Sequence, residues 1–182
     1  MAELLDRVSI IGNQLVYSTD RETITLEGWG RDGLRVRVTP KGGRQTSDWA
    51  LDIPLQVKAE ISLSPKKATL RNGKISVKIE DIFTQAGRLQ FFRHAGEQET
   101  LILSEYDYGV WAHNPGTRSF KPVGNGLFHT ELHFNSREGE RFYGMGENAT
   151  GRLNLKGSVI DLYQRHVKAV VPFVVSSEGY GF

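Results

Sequence analysis

Alternation of apolar and polar residues with a period of two is the feature that most constrains this chain. Leu34, Val36 and Val38 alternate with Arg35 and Arg37. Ile75, Val77 and Ile79 alternate with Lys74, Ser76 and Lys78. Phe128, Leu132 and Phe134 alternate with His129, Glu131 and His133. A strand sends successive side chains to opposite faces, so each run predicts one face against a core and one against water. The same reading predicts strands over residues 8–17, 23–27, 57–63, 88–92, 100–104, 159–163 and 170–175. Helical periodicity is confined to one turn over residues 2–7. Many short strands with frequent turns make the expected fold all-β and antiparallel, a β-sandwich or a close relative.

Turn chemistry falls between the predicted strands, in a chain with 20 Gly and 6 Pro. Arg71-Asn72-Gly73-Lys74 predicts a type I′ hairpin, because Asn-Gly accepts positive φ at both central positions. Arg31-Asp32-Gly33 reads similarly. Gly42-Gly43, Asn114-Pro115-Gly116 and Gly124-Asn125-Gly126 read as looser connections. Residues 41–52 and 105–126 look like long excursions, and long loops in compact domains often carry function. No internal repeat, low-complexity tract or interdomain linker is evident.

Composition narrows the function. The chain is 38% hydrophobic and 24% charged, the mix of a folded globular domain. Its 182 residues fit one large domain or two small ones. A complete (β/α)₈ barrel needs about 250. The 23 basic and 21 acidic residues leave a net charge of +2, and the longest cationic run is Lys66-Lys67. That is no footprint for nucleic acid or a membrane surface. With no cysteine, disulfides, thiol catalysis and thiolate metal sites are excluded. No window approaches the ~18 apolar residues of a membrane span. The start, Met1 to Arg7, lacks the basic and apolar regions of a signal peptide, so a cytoplasmic address is expected.

Several constellations invite chemical readings. His129, Glu131 and His133 share one strand face at i, i+2 and i+4, with donor types that suit zinc. Same-face neighbours stand ~6–7 Å apart along a strand, however, and tetrahedral ligation needs convergence from more than one element. A polar stripe facing solvent or sugar is the expectation, with no metal and no cofactor. Gly144-Met145-Gly146-Glu147 lacks the third glycine and the following helix of a phosphate loop. Its glycines read as a tight backbone path, with Glu147 satisfying buried donors. Asp161-Leu162-Tyr163-Gln164-Arg165-His166 gathers the hydrogen-bonding and aromatic types of a sugar pocket, or else closes a strand in a charged loop. Trp29, Trp49, Trp111, Tyr106 and Tyr108 would stack on sugars if exposed, but most are expected in the core.

In the C-terminal forty residues, Arg141-Phe142-Tyr143-Gly144-Met145-Gly146-Glu147 resembles the F-Y-G-x-G-E signature of glycoside hydrolase family 31. Leu153-Asn154-Leu155-Lys156-Gly157 looks like L-N-x-x-G, and residues 171–182, from Val171-Pro172-Phe173 to Gly179-Tyr180-Gly181-Phe182, look like I-P-F-x-x-S-x-x-G-Y-G. Upstream, Arg35-Val36-Arg37-Val38-Thr39 is similar to an R-V-R-x-T strand, and Asp48-Trp49-Ala50-Leu51 is reminiscent of the family too. The resemblance implies an antiparallel galactose-mutarotase-like β-sandwich (supersandwich) over residues 1–182. Such a domain is the N-terminal part of a retaining α-glucosidase or α-xylosidase. It packs on its own C-terminal (β/α)₈ barrel and lends a loop to the substrate rim.

The family's two catalytic carboxylates lie in the barrel, so the resemblance assigns no catalytic residue here. Many members carry W-N-x-D after L-N-x-x-G, whereas this sequence has Leu162-Tyr163-Gln164-Arg165-His166. Tyr163, Gln164, Arg165 and His166 are therefore the expected substrate contacts on an α-linked glucoside or xyloside, supported by Arg152 and Asn154. Two other readings compete. One is a free-standing aldose mutarotase-like enzyme using His129 or His133 with Glu131. The other is a carbohydrate-binding module using Trp29, Trp49 or Trp111.

Overall fold

The computed structural model describes residues 4–43, 57–81, 87–106, 117–147 and 151–182. Trp49, Trp111, Tyr108, Asp48 to Leu51 and Asn114 to Gly116 lie outside the described residues. The chain divides into two compact units, Met1–Asn135 and Ser136–Phe182.

In the first unit a 3-10 turn, Leu4–Arg7, leads into four antiparallel strands: β1 (Val8–Ile11), β2 (Gln14–Ser18), β3 (Glu22–Gly28) and β4 (Leu34–Pro40), in that spatial order. A second sheet contains β5 (Glu60–Ser64), β6 (Lys67–Asn72), β7 (Ile75–Asp81), β8 (Gly87–Ala95) and β9 (Gln98–Glu105). Among the described residues the hairpin β10 (Arg118–Gly124) and β11 (Leu127–Leu132) forms a two-stranded sheet. The short β12 (Phe134–Asn135) then returns to pair with β9, giving the order β12-β9-β8-β7-β6-β5.

The core lies between the inner faces of the two larger sheets. Leu15, Tyr17, Ile24 and Leu26 come from one, and Ala68, Leu70, Val77, Ile79 and Leu89 from the other; all are buried. Each large side chain among them contributes about 1.5–3 kcal/mol on burial. Gly87 marks a close approach of the two sheets, since a Cβ there would sit 2.8 Å from the Tyr17 ring across the core and 2.9 Å from Ile79 Cγ2 in its own sheet.

Several expectations need correction. Residues 8–17 form two strands, because Gly12 at φ 60° begins a turn between them. Lys67–Asn72 is a strand that its mixed pattern hid. The Gly73 turn has positive φ at glycine alone, and Asn72 pairs with Ile75 across it, so Asn72 ends the strand. Its buried side chain donates to Gly30 O (3.0 Å) and Gly33 O (2.7 Å), which ties down the β3–β4 loop. The two-residue Asn-Gly turn instead occurs at Asn125-Gly126, with φ of 52° and 74°, closing β10 onto β11. Ser76, expected to face water, is buried against His94 Nε2 at 2.8 Å. The apolar sides of β4 and β11 do not enter the core: β4 is half-buried throughout, and Leu132 is exposed.

The second unit is a three-stranded antiparallel sheet of β13 (Phe142–Gly146), β14 (Val170–Ser176) and β15 (Tyr180–Gly181), in that order. The connection between β13 and β14 holds every substrate contact expected from the sequence.

Candidate functional site

Two glycines set the root of that connection. Gly144 has φ 104°, and a Cβ on it would meet Phe173 O at 2.7 Å. Gly146 has φ 87°, and its Cβ would meet Ala169 O at 2.1 Å. Between them Met145 takes φ 65°, where the β13–β14 register shifts. Glycine is demanded twice, by handedness and by backbone contact. Glu147 N then donates to Ala169 O at 2.8 Å, so the excursion leaves and re-enters through one closed neck. The tight-path reading of this motif holds. The buried role for Glu147 does not: its side chain is exposed, because it lies just beyond the pinned strand.

Within the excursion, the six expected contacts separate into braces and exposed heads. Asn154 is a brace. Its Oδ1 accepts from Phe142 N (3.1 Å) and Lys156 N (3.2 Å), while Leu155 N donates to Phe142 O (2.8 Å). Gln164 is another, with Nε2 donating to Lys168 O and Oε1 accepting from Val170 N at 3.3 Å. Lys168 N donates to Arg165 O (3.1 Å), and His166 sits at φ 55°, so the chain turns sharply there. The Arg152, Arg165 and His166 side chains are exposed, and Tyr163 is 60% exposed. Residues 159–163 form no strand, and Val159 is 96% exposed. The apolar residues there are carried on a loop, not on a strand. This arrangement presents an aromatic ring, a guanidinium and an imidazole, which can hydrogen-bond hydroxyls and offer a stacking face.

The sheet behind the loop is held by a carboxylate that sequence reasoning missed. Glu140 is 2% exposed. It accepts from Arg137 N (2.9 Å), Ser176 Oγ (2.5 Å) and Tyr180 OH (2.8 Å). Burial opposes its ionisation, but these hydrogen bonds outweigh burial and hold its carboxyl below the usual range. Burial, together with the bond to Glu140, pushes the Tyr180 hydroxyl up to about 12. Ser176 and Tyr180 were visible as motif letters; their shared partner was not, because nothing in the local pattern around Glu140 marks it as buried.

In the first unit, Arg118 at the start of β10 joins Glu22 of β3 and Glu105 of β9. Its Nε and Nη2 donate to Glu22 at 3.2 and 2.6 Å, Nη1 donates to Glu105, and Nη2 donates also to Gly87 O at 2.7 Å. Glu105 further accepts from Leu89 N at 2.8 Å. Burial is the largest influence on Glu105 and raises its carboxyl, although Arg118 pulls it down. With Glu22 at 6% and Glu105 at 1% exposure, neither carboxylate can meet a sugar.

The remaining constellations are surface features. His129, Glu131 and His133 have exposed side chains, with Glu131 oxygens 3.3 Å from His129 Nε2 and 3.9 Å from His133 Nε2. Among the described residues no group of three His, Cys, Asp or Glu could hold a metal ion. Trp29 is half-buried, with the Arg35 guanidinium 4.5 Å above its ring, so that face is already covered.

Comparison with known proteins identifies the family. Residues 23–182 match the model of the glycosyl hydrolase 31 N-terminal galactose mutarotase-like domain. The chain is 34% identical over 197 aligned positions to an uncharacterized family 31 glucosidase of Pseudescherichia vulneris, covering all of this chain and 35% of that protein. It is 32% identical over 177 positions to alpha-xylosidase A of Aspergillus niger, covering 88% of this chain and 24% of the relative. A family 31 alpha-xylosidase from a soil metagenome, solved with xylose, superposes with a TM-score of 0.82 at 30% identity, covering 96% of this chain and 27% of that one. The chain thus spans about a third or less of the length of these relatives.

Proposed function

Because the chain belongs to the glycosyl hydrolase 31 N-terminal galactose mutarotase-like domain family, we propose that it serves as the non-catalytic front domain of a retaining α-glycosidase. The substrate is an α-linked xyloside or glucoside, with xyloside first, since the named relatives of both kinds include alpha-xylosidases. Retaining hydrolysis needs two carboxyl groups about 5–5.5 Å apart across the scissile bond. In this reading a (β/α)₈ barrel elsewhere in the polypeptide supplies them, in a reducing cytoplasm that suits a cysteine-free chain.

The observation that carries this reading is the disproportion of coverage: the whole chain aligns, yet with only 35% of its bacterial relative. The pinned excursion supports a rim role, because a closed neck and two internal braces hold Tyr163, Arg165 and His166 outward. The second unit also leaves Val171, Phe173 and Val175 exposed on alternate positions of β14, an apolar stripe of the kind a barrel would cover. In the polypeptide that carries the barrel, Tyr163→Ala or Arg165→Ala should lower kcat/KM about 2- to 150-fold, the worth of one lost hydrogen bond. Unchanged kcat/KM on both nitrophenyl α-xyloside and nitrophenyl α-glucoside would refute the rim role.

A further inference from the structure

The β10–β11 hairpin is an amphipathic ribbon whose two edges differ. Phe120, Pro122, Phe128, Thr130 and Leu132 fall on one face; Ser119, Lys121, His129 and Glu131 fall on the other. The β10 strand carries Lys121 and Pro122, residues that discourage further pairing at an edge. The β11 strand, Leu127-Phe128-His129-Thr130-Glu131-Leu132, contains neither lysine nor proline. Among the described residues β11 pairs with β10 alone, and Leu127 and Leu132 are 65% and 47% exposed.

The order of residues along β11 supplies the occupant. About an antiparallel two-fold at Thr130, His129 falls opposite Glu131 of a second copy, and Phe128 falls opposite its Leu132. Thr130 meets Thr130. Because side chains alternate with period two, an imidazole meets a carboxylate that it can hydrogen-bond on the polar face, while Phe128 meets Leu132 on the other. The geometry points to β11 as a self-complementary edge that pairs with β11 of a second copy of this chain, joining two hairpins into one four-stranded sheet. This is β-strand addition in its symmetric form, in which one patch serves both partners.

Sedimentation velocity on the 182-residue chain over a concentration series tests it, the expected result being a reversible dimer. His129→Glu sets like charges opposite each other at two symmetric places, and Glu131→Lys removes at both the carboxylate that would accept from His129. Each should weaken dimerisation about 2- to 30-fold. The double variant sets opposite charges across each pair and should recover the dimer. Directly opposed antiparallel residues lie ~4.5–5.5 Å apart, within disulfide reach. In this cysteine-free chain, mild oxidation of Thr130→Cys should therefore cross-link the dimer far faster than Ser62→Cys on the exposed edge strand β5. All of these positions are exposed, so the fold should survive. A monomer at every concentration, a double variant as weak as the single ones, or equal cross-linking from both cysteines would overturn the proposal.

Discussion

Replacing Arg118 by methionine should be among the most damaging single changes in the first unit. The substitution keeps the approximate length of the side chain and removes its charge and its donors. Three donors to Glu22 and Glu105 and one to Gly87 O vanish together. Two carboxylates at 6% and 1% exposure are left without a cation. Stripping one partner from a buried ion pair costs about 3–5 kcal/mol, because the remaining charge is neither solvated nor paired. Domains of this kind hold only about 5–15 kcal/mol in total.

Urea denaturation at neutral pH, followed by tryptophan fluorescence, measures the loss as a lower midpoint at constant m value. The loss should shrink as the solution is acidified. Burial already raises the Glu105 carboxyl, and a carboxylate with a raised folded pKa contributes its stability below the unfolded value and loses it as pH rises through the folded one. Protonation therefore relieves the variant. Replacing Glu22, Arg118 and Glu105 together by apolar residues of similar size should restore most of the stability. A cost below about 1 kcal/mol for Arg118→Met, or one unchanged between neutral and acid pH, would refute this reasoning.

Other outcomes follow from the second unit. Glu140→Gln should cost about 1–3 kcal/mol at neutral pH, since a buried hydrogen-bond acceptor is impaired. The Glu140 carboxyl is held below the usual range, so its contribution is present above 4.5 and is lost as pH falls through the folded value. Unfolding free energy against pH should flatten on the acid side in that variant, and an unaltered acid slope would count against the assignment. Gly146→Ala should destabilise by more than about 2 kcal/mol, because a Cβ is refused both by φ 87° and by Ala169 O at 2.1 Å. Limited proteolysis should then cut between residues 151 and 169 sooner than in the parent chain, and an unchanged cleavage rate would show that the neck does not hold the loop.

Much of the fold was legible because alternation reports a local rule. Wherever a strand has one wet face, as in β3 with Ile24 and Leu26 buried, the pattern shows it directly. β4, the last strand of its sheet among the described residues, breaks the rule: it alternates, yet both of its faces are half-covered, since Arg35 and Arg37 fold over Trp29 and Glu27. Turn identity failed at Asn72 for a different reason. An Asn-Gly pair suits a type I′ turn, but here the asparagine amide was worth more as a buried bridge to Gly30 and Gly33.

The neck of the candidate site was legible through its motif glycines, whose conformational demand is absolute. The two burial networks were not, because Glu22, Glu105 and Arg118 meet across up to 96 positions of sequence and look locally like ordinary surface charges. Motif position alone also could not separate Asn154 and Gln164, which brace the loop, from Tyr163, Arg165 and His166, which it displays.

The central claim is that this chain shapes a substrate rim and performs no hydrolysis itself. Its most direct test is the release of nitrophenol from nitrophenyl α-xyloside and α-glucoside by the purified 182-residue chain. The account predicts no release above buffer from the folded chain, at any pH at which it stays folded. Turnover that rises with the concentration of the chain, and disappears when it is unfolded, would contradict it.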